Sequence, residues 1–109
     1  MDLVEAVYAA TEGFPKREVY SLTDQIRRAA VSVPSNIAEG QAHHSSREFL
    51  HFLQHARGSL AEIDTQIRIA HRLSYLSDPD ANRLIVQIEE VGRIINGLIG
   101  AMRDQEHRA

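Results

Sequence analysis

The sequence predicts an all-α protein, an antiparallel up-and-down four-helix bundle in a single domain spanning residues 1–109. Two observations predict this fold class. Apolar residues recur at alternating steps of four and three, the spacing of helices that pack in a bundle. No stretch alternates apolar and polar residues between turns, as a strand would. The helices are predicted over about residues 2–12, 15–39, 46–73 and 79–103.

Gly13 and Pro15 mark the boundary between the first two predicted helices. Gly13 ends the first helix, and Pro15 suits the first turn of the second because its missing N–H would have no partner there. The first helix offers an apolar face formed by Leu3 or Val4, Val7 and Thr11, with Tyr8 beside them. The second helix offers Val19, Leu22, Ile26, Ala29 and Val33.

Pro34 interrupts the second predicted helix. A proline ring inside a helix clashes with the carbonyl four residues earlier, which costs about 3 kcal/mol and kinks the helix. Ile37 and Ala38 nevertheless continue the apolar face beyond it. We therefore predict a helix kinked at Pro34 that runs to Glu39, with Gly40 as its C-cap and a loop over residues 40–45.

Polar residues surround Pro34, and we predict that they form a structural polar network rather than a ligand site. Ser32 or Asn36 could satisfy the backbone groups that the proline frees. Glu39 could pair with Arg27 or Arg28 of its own chain or of an adjoining one.

The third and fourth predicted helices carry the longest apolar repeats. Ser45 and Glu48 form a capping box at the start of the third, and Asp78 is the predicted N-cap of the fourth, with Pro79 at its first helical position. The third helix repeats Phe49, Leu53, Ala56, Leu60, Ile63, Ile67 and Ala70. The fourth repeats Ala81, Leu84, Ile88, Val91, Ile95, Leu98 and Met102.

Several apolar residues lie off these two stripes. A wider stripe of three positions per heptad accommodates some of them, and the remainder argue for a second buried face. We therefore predict a homo-oligomer. The candidate interface residues are Leu50, Phe52, Ile69, Ile85, Ile94 and Ile99.

Composition limits the functional classes. No apolar run approaches the roughly 20 residues of a membrane span. The first residues carry acids where a signal peptide carries basic residues, and there is no cysteine, so we expect a cytoplasmic protein. The net charge of −3 gives no global reason to expect nucleic acid. Eleven of the twelve basic residues are arginine, which suits internal ion pairs and RNA phosphates alike.

The sequence gives only weak evidence for a metal site or a catalytic site. Glu48 and His51 have the Glu-x-x-His spacing of di-iron bundles, but the sequence has no second copy and the heptad turns both residues outward. His51 and His55, one turn apart and near His43 and His44, could share a metal ion, but no clear ligand set is complete. No nucleophile motif occurs. We therefore predict a protein without enzymatic activity, cofactor or metal.

Two segments carry a resemblance to a known family. They are Phe14-Pro15-Lys16 followed by YSLTDQIRRAAVSVPSNIAEG over residues 20–40, and the Glu-Phe … Phe-Leu … Ala-Arg-Gly-Ser-Leu-Ala-Glu pattern over residues 48–62. The chain resembles, from about Leu3 to Leu98, the four-helix-bundle proteins first noticed as reading frames within intervening sequences of 23S ribosomal RNA genes. The resemblance implies an up-and-down bundle that assembles as a ring-like pentamer, in a family whose biochemical role is not established.

The family is also similar to the accessory variability determinant of diversity-generating retroelements, a pentameric bundle whose basic surface binds a reverse transcriptase and nucleic acid. The resemblance therefore implies contact with RNA, for which the candidates are Arg47, Arg57, Arg68, Arg72, His43 and His44. This chain has Gln41-Ala42-His43-His44 where many members have a glycine and a basic residue. Two hypotheses stay open: an oligomeric adaptor that binds RNA or an RNA-handling protein, and a purely structural or protein-binding homo-oligomer.

Overall fold

The computed structural model describes residues 2–108, which form four α-helices, one short 3₁₀ helix and no strand. The elements are α1 (Asp2–Thr11), the 3₁₀ helix (Lys16–Glu18), α2 (Leu22–Ala42), α3 (Ser46–Arg72) and α4 (Asp78–Arg108). Each helix packs against the next, and α1 also packs against α4 and closes the bundle. The predicted all-α four-helix bundle is confirmed.

Consecutive helices run antiparallel. Gly40 of α2 lies against Phe52 of α3, whereas Ser32, two turns earlier on α2, lies 2.8 Å from Ser59, two turns later on α3. The same reversal relates α3 to α4, which are joined by the hydrogen-bonded pairs Ser46–Gln105 and Arg57–Asn96. No helix in residues 2–108 is long and apolar enough to cross a membrane.

The core follows the predicted repeat of α3 almost completely. Six of the seven predicted residues of α3 are buried: Leu53, Ala56, Leu60, Ile63, Ile67 and Ala70. One buried polar residue, Thr11, ends α1. Its hydroxyl donates to the carbonyl of Val7 at 2.8 Å and accepts from Nε of Arg27 at 2.9 Å. The Arg27 guanidinium also lies 4.7 Å from the centre of the Tyr8 ring, so one side chain of α2 holds the end of α1.

The second helix begins later than predicted, at Leu22 instead of residue 15. Phe14 is buried in the core and packs its ring 5.4 Å from that of Tyr75, in the α3–α4 connection. Glu18 accepts a hydrogen bond from the Tyr75 hydroxyl at 2.8 Å. These contacts hold residues 14–18 against another loop, so this segment forms a 3₁₀ turn instead of extending α2.

Gly40 is not the C-cap that the sequence predicted. It lies inside α2 and is buried, and α2 continues to Ala42. A Cβ atom at this position would lie 2.8 Å from Cδ1 of Phe49 and 2.9 Å from Cβ of Phe52. Glycine is therefore present because α2 and α3 approach closely here. Helix α2 also runs through Pro34 as one element, and the kink predicted there stays a prediction.

The helix caps agree with the prediction in part. The Ser45 hydroxyl accepts from the Glu48 N–H at 3.1 Å and caps α3. The Glu48 carboxylate, however, pairs with His43. At the start of α4 the cap is Ser77, whose hydroxyl accepts from the Asp80 N–H at 3.2 Å. The predicted N-cap, Asp78, is the first residue of α4, and its carboxylate pairs instead with His71.

Candidate nucleic-acid interface on helix α3

Four arginines of α3 share one side of the helix, which we call the arginine face. Successive helical residues are turned by about 100°, so these side chains leave the helix within about 80° of one another. All four are exposed: Arg47, Arg57, Arg68 and Arg72. They extend over about 38 Å of helix, by the rise of about 1.5 Å per residue. The sequence predicted these residues individually, and the structure brings them onto one surface.

The middle of the arginine face opens into a groove between α3 and α4, with a volume of about 490 Å³. Arg57 and Arg68 line it from α3, and Arg93 lines it from α4. Its other charged lining residues are Asp64 and Glu89. Because three arginines and two carboxylates line this α3–α4 groove, its net charge is positive. The net charge of the whole chain is −3.

Arg93 was absent from the predicted site. It lies far from the other arginines in sequence and meets them only because α4 packs antiparallel to α3, with Asn96 hydrogen-bonded to Arg57. The register of that packing depends on where the α3–α4 connection ends. The arginine bias of the sequence was the only signal, and it did not single out a position on α4.

The arginines of the groove are held only by weak, exposed contacts. Arg57 Nη1 donates to Asn96 Oδ1 at 3.3 Å, and Arg68 Nε donates to Asp64 Oδ2 at 3.3 Å. An exposed i,i+4 ion pair such as Arg68–Asp64 contributes about 0.3–0.5 kcal/mol. Within residues 2–108, Arg47, Arg72 and Arg93 form no ion pair. A phosphate group could therefore replace the present partners at little cost.

The predicted histidines lie at one end of the arginine face, in the α2–α3 connection. His43 pairs through Nδ1 with the Glu48 carboxylate, and its ring stacks on Phe52 with a centroid separation of 5.2 Å. His44 is exposed beside it. His43 and Arg47 border the same surface depression, so the structure joins these two predicted residues.

Other histidines of α3 lie next to this end. Glu48 and His51 are both exposed, as the heptad predicted. The Nε2 atoms of His51 and His55 lie 3.2 Å apart. No cluster of three or more histidine, cysteine, aspartate or glutamate side chains in residues 2–108 is arranged to hold a metal ion.

The polar network around Pro34 is smaller than predicted. Asn36 donates from Nδ2 to the Ser32 carbonyl at 2.8 Å and to its hydroxyl at 2.9 Å. The Ser32 hydroxyl in turn bonds that of Ser59 at 2.8 Å, which links α2 to α3. Ser59 was not predicted, because its place opposite Ser32 depends on the helix register.

Three predicted members do not join this network. Arg27 contacts α1 instead, and Arg28 pairs with Asp24 at 2.8 Å. Glu39 is exposed and lies about 17 Å along the helix from Arg28. The predicted pairing of Glu39 with either arginine within one chain is therefore wrong.

The predicted oligomer-interface residues differ in how far their side chains are buried. Ile94 is 63% exposed and Ile69 is 43% exposed. Leu50 and Ile85 are half-buried against the core, and Phe52 is half-buried. Ile99 is only 2% exposed and belongs to the core, because it follows the buried Ile95 by one turn. Its assignment to a second face is wrong.

Ile94 borders a groove that α1 leaves uncovered. Helix α1 is 10 residues long, whereas α2 has 21 and α4 has 31. The groove between α2 and α4 at the start of α1 has a volume of about 390 Å³. Its apolar lining includes Pro34, Ile37 and Val91.

Comparisons with known proteins agree with this architecture. The sequence model described as "23S rRNA-intervening sequence protein" matches residues 1–97. The fold is similar to the crystal structure of a protein of unknown function from the S23 ribosomal protein family of Bacteroides thetaiotaomicron, with a TM-score of 0.79 and 18% sequence identity. The match covers 89% of this chain and 90% of the other. No curated protein matches the chain. Neither description names an enzymatic activity.

Proposed function

Because the chain belongs to the 23S rRNA-intervening sequence protein family, we propose that it is a non-enzymatic, oligomeric adaptor that binds RNA, or an RNA-handling protein, through the arginine face of α3. The observation that carries this proposal is the placement of Arg47, Arg57, Arg68 and Arg72 on one exposed side of one helix. The proposed location is the cytoplasm.

The chemistry of the arginine face favours RNA as the ligand. A guanidinium group donates two parallel hydrogen bonds to a phosphate, and a row of such groups along a helix can follow a backbone of successive phosphates. Contacts of this kind position a nucleic acid without reading its sequence. In a ring of several subunits, the pentamer that we propose from the resemblance, each arginine recurs in every subunit, so a modest patch becomes a positive belt.

The proposal is tested by fluorescence anisotropy with a labelled RNA hairpin at low salt. The wild-type chain is expected to bind with a Kd in the micromolar range or below. The variant Arg57→Gln/Arg93→Gln should bind on the order of tenfold more weakly, because hydrogen bonds between charged groups are lost. The matched control is Arg28→Gln/Arg83→Gln, which removes two arginines that pair with Asp24 and Asp80 away from the groove. Absence of binding by the wild type at low salt would overturn the proposal that the arginine face binds RNA directly.

A purely structural or protein-binding homo-oligomer is the second candidate function. It is favoured by the exposure of Ile94, which borders the apolar groove between α2 and α4. If this groove is covered by another subunit, Ile94→Asp would bury a charge at the contact and dissociate the oligomer. Light scattering should then show a smaller mass for the variant than for the wild type. A wild-type chain that is monomeric at high concentration would remove this candidate.

A similarity to the accessory variability determinant, if it extends to function, would make a reverse transcriptase the RNA-handling partner. The arginine face would then contact nucleic acid that the partner also holds. A reverse transcriptase encoded beside this chain would support that partner, and an adjacent ribosomal RNA operon would favour ribosomal RNA.

A further inference from the structure

A surface depression lies at the end of the bundle where α2 passes into α3. Its volume is about 560 Å³, and it is lined by His43, Arg47, Glu48, His51 and Phe52. Only Arg47 belongs to the arginine face, about 15 Å along the helix from Arg57. The depression therefore lies beside one end of the proposed RNA-binding surface and has a different chemical character.

Its distinguishing feature is a pair of stacked aromatic rings. The His43 ring lies over that of Phe52 with a centroid separation of 5.2 Å and an angle of 19° between the planes. His51 meets the edge of Phe52 at 5.6 Å. The Cβ atom of Phe52 lies close to Gly40 of α2, at 2.9 Å from where a Cβ atom of residue 40 would be. One face of the His43 ring stacks on Phe52, and 42% of the His43 side chain stays exposed, which leaves room for a second ring to stack on it.

The charged groups around the rings nearly balance. Arg47 supplies one guanidinium, and the Glu48 carboxylate pairs with His43. This depression therefore lacks the excess of arginines that characterises the α3–α4 groove. A flat aromatic surface with one cationic donor and one anionic acceptor at its rim matches a nucleobase, which has a π face and polar edges. Proteins that recognise unpaired RNA stack its bases on aromatic or histidine rings in this manner.

We infer that this depression binds one unpaired nucleobase of RNA, stacked on the open face of His43, with Arg47 on the adjacent phosphate. The inference rests on the proposed function and names its ligand class: RNA that presents single-stranded or looped bases. Bases inside a duplex are stacked on each other and do not reach such a surface. A strand whose phosphates follow the arginine face towards Arg47 brings a base to His43.

The test compares a labelled single-stranded RNA of mixed sequence with the same strand annealed to its complement. The wild type should bind the single strand more tightly than the duplex. His43→Ala should weaken binding to the single strand at least about fivefold, since stacking of a base contributes about 1–3 kcal/mol, and should leave duplex binding unchanged. His43→Phe keeps a flat ring but cannot pair with Glu48, and it should keep the preference for the single strand.

The matched control is His71→Ala, which removes an equally exposed histidine that pairs with Asp78 at the other end of α3, and it should keep the wild-type preference. Thermal unfolding of each variant shows whether the fold is retained. The inference is wrong if the wild type binds RNA but does not distinguish single strand from duplex. It is also wrong if His43→Ala lowers only the thermal stability. If the wild type binds neither the single strand nor the duplex, the proposed RNA binding itself has failed.

Discussion

Gly40 lies in the second half of α2 with two aromatic residues of α3 packed against its Cα. The position that a Cβ atom would occupy is 2.8 Å from Cδ1 of Phe49 and 2.9 Å from Cβ of Phe52. Neither distance is available to a real side-chain carbon. The missing side chain therefore allows α2 and α3 to approach closely near the connection that joins them.

Replacing Gly40 by alanine should destabilise the fold by about 1–3 kcal/mol, as overpacking of a core does. The matched control is Gly97→Ala in α4, where no atom lies within 4 Å of the added carbon. That change should stabilise the chain by up to about 1 kcal/mol, since alanine is the better helix former. Urea unfolding at a fixed protein concentration measures both. If the two substitutions changed the free energy of unfolding equally, the close approach at Gly40 would not affect stability.

The role of Gly40 illustrates what the sequence could not reveal at this scale. A glycine near the end of a predicted helix is typical of a C-cap, and nothing local distinguishes that use from a close approach of two helices. The distinction depends on Phe49 and Phe52 facing it from another helix. The exposure of Glu48 and His51, by contrast, follows from the spacing of apolar residues in α3 alone and was predicted.

At the scale of elements, the α1–α2 and α3–α4 connections are tied together at one end of the bundle. Phe14 packs against Tyr75, and the Tyr75 hydroxyl donates to Glu18 at 2.8 Å. The Ser21 hydroxyl donates to the same carboxylate. The hydrogen bonds from Ser21 and then Tyr75 hold the pKa of Glu18 below its usual value of 4.5.

This lowered pKa predicts a pH-dependent contribution to stability. The folded chain holds Glu18 ionised more strongly than the unfolded chain, so the stabilisation is complete above pH 4.5 and is lost as the pH falls through the lowered value. Glu18→Gln should therefore be less stable than the wild type at neutral pH, and the difference should shrink in acid. Urea unfolding over this pH range measures it.

Tyr75→Phe serves as the control for the Glu18 prediction, because it removes one donor and keeps the ring that packs on Phe14. It should show a smaller pH-dependent loss of the same sign. A difference between wild type and Glu18→Gln that stays constant with pH would contradict the assigned role of the two hydrogen bonds.

The helices themselves were predictable to different degrees. The apolar repeat of α3 correctly predicted which of its residues are buried, because one face of the helix packs into the core along most of its length. Towards its end α4 buries Ile99 more deeply than Leu98, which is only half-buried, since a straight helix drifts relative to a seven-residue repeat. The start of α2 was mispredicted because tertiary contacts of Phe14 and Glu18 overrode a favourable proline position.

At the scale of the whole molecule, charge is distributed unevenly. The chain carries −3 overall, yet one side of α3 bears four arginines and the adjoining groove adds Arg93 from α4. A uniform charge distribution would give an acidic protein no attraction for RNA. The segregation of arginines onto one surface concentrates positive charge that the net charge conceals, and it is the basis of the proposed function.

The most direct test of the arginine face as an RNA-binding surface is the dependence of RNA affinity on salt. Binding through phosphates releases counterions, so log K falls linearly with log of the salt concentration. Anisotropy titrations between about 50 and 200 mM salt should give a slope for Arg57→Gln/Arg93→Gln that is shallower than that of the wild type by about one for each lost phosphate contact. Arg28→Gln/Arg83→Gln should keep the wild-type slope. Identical slopes for all three proteins would contradict the proposed role of the arginine face.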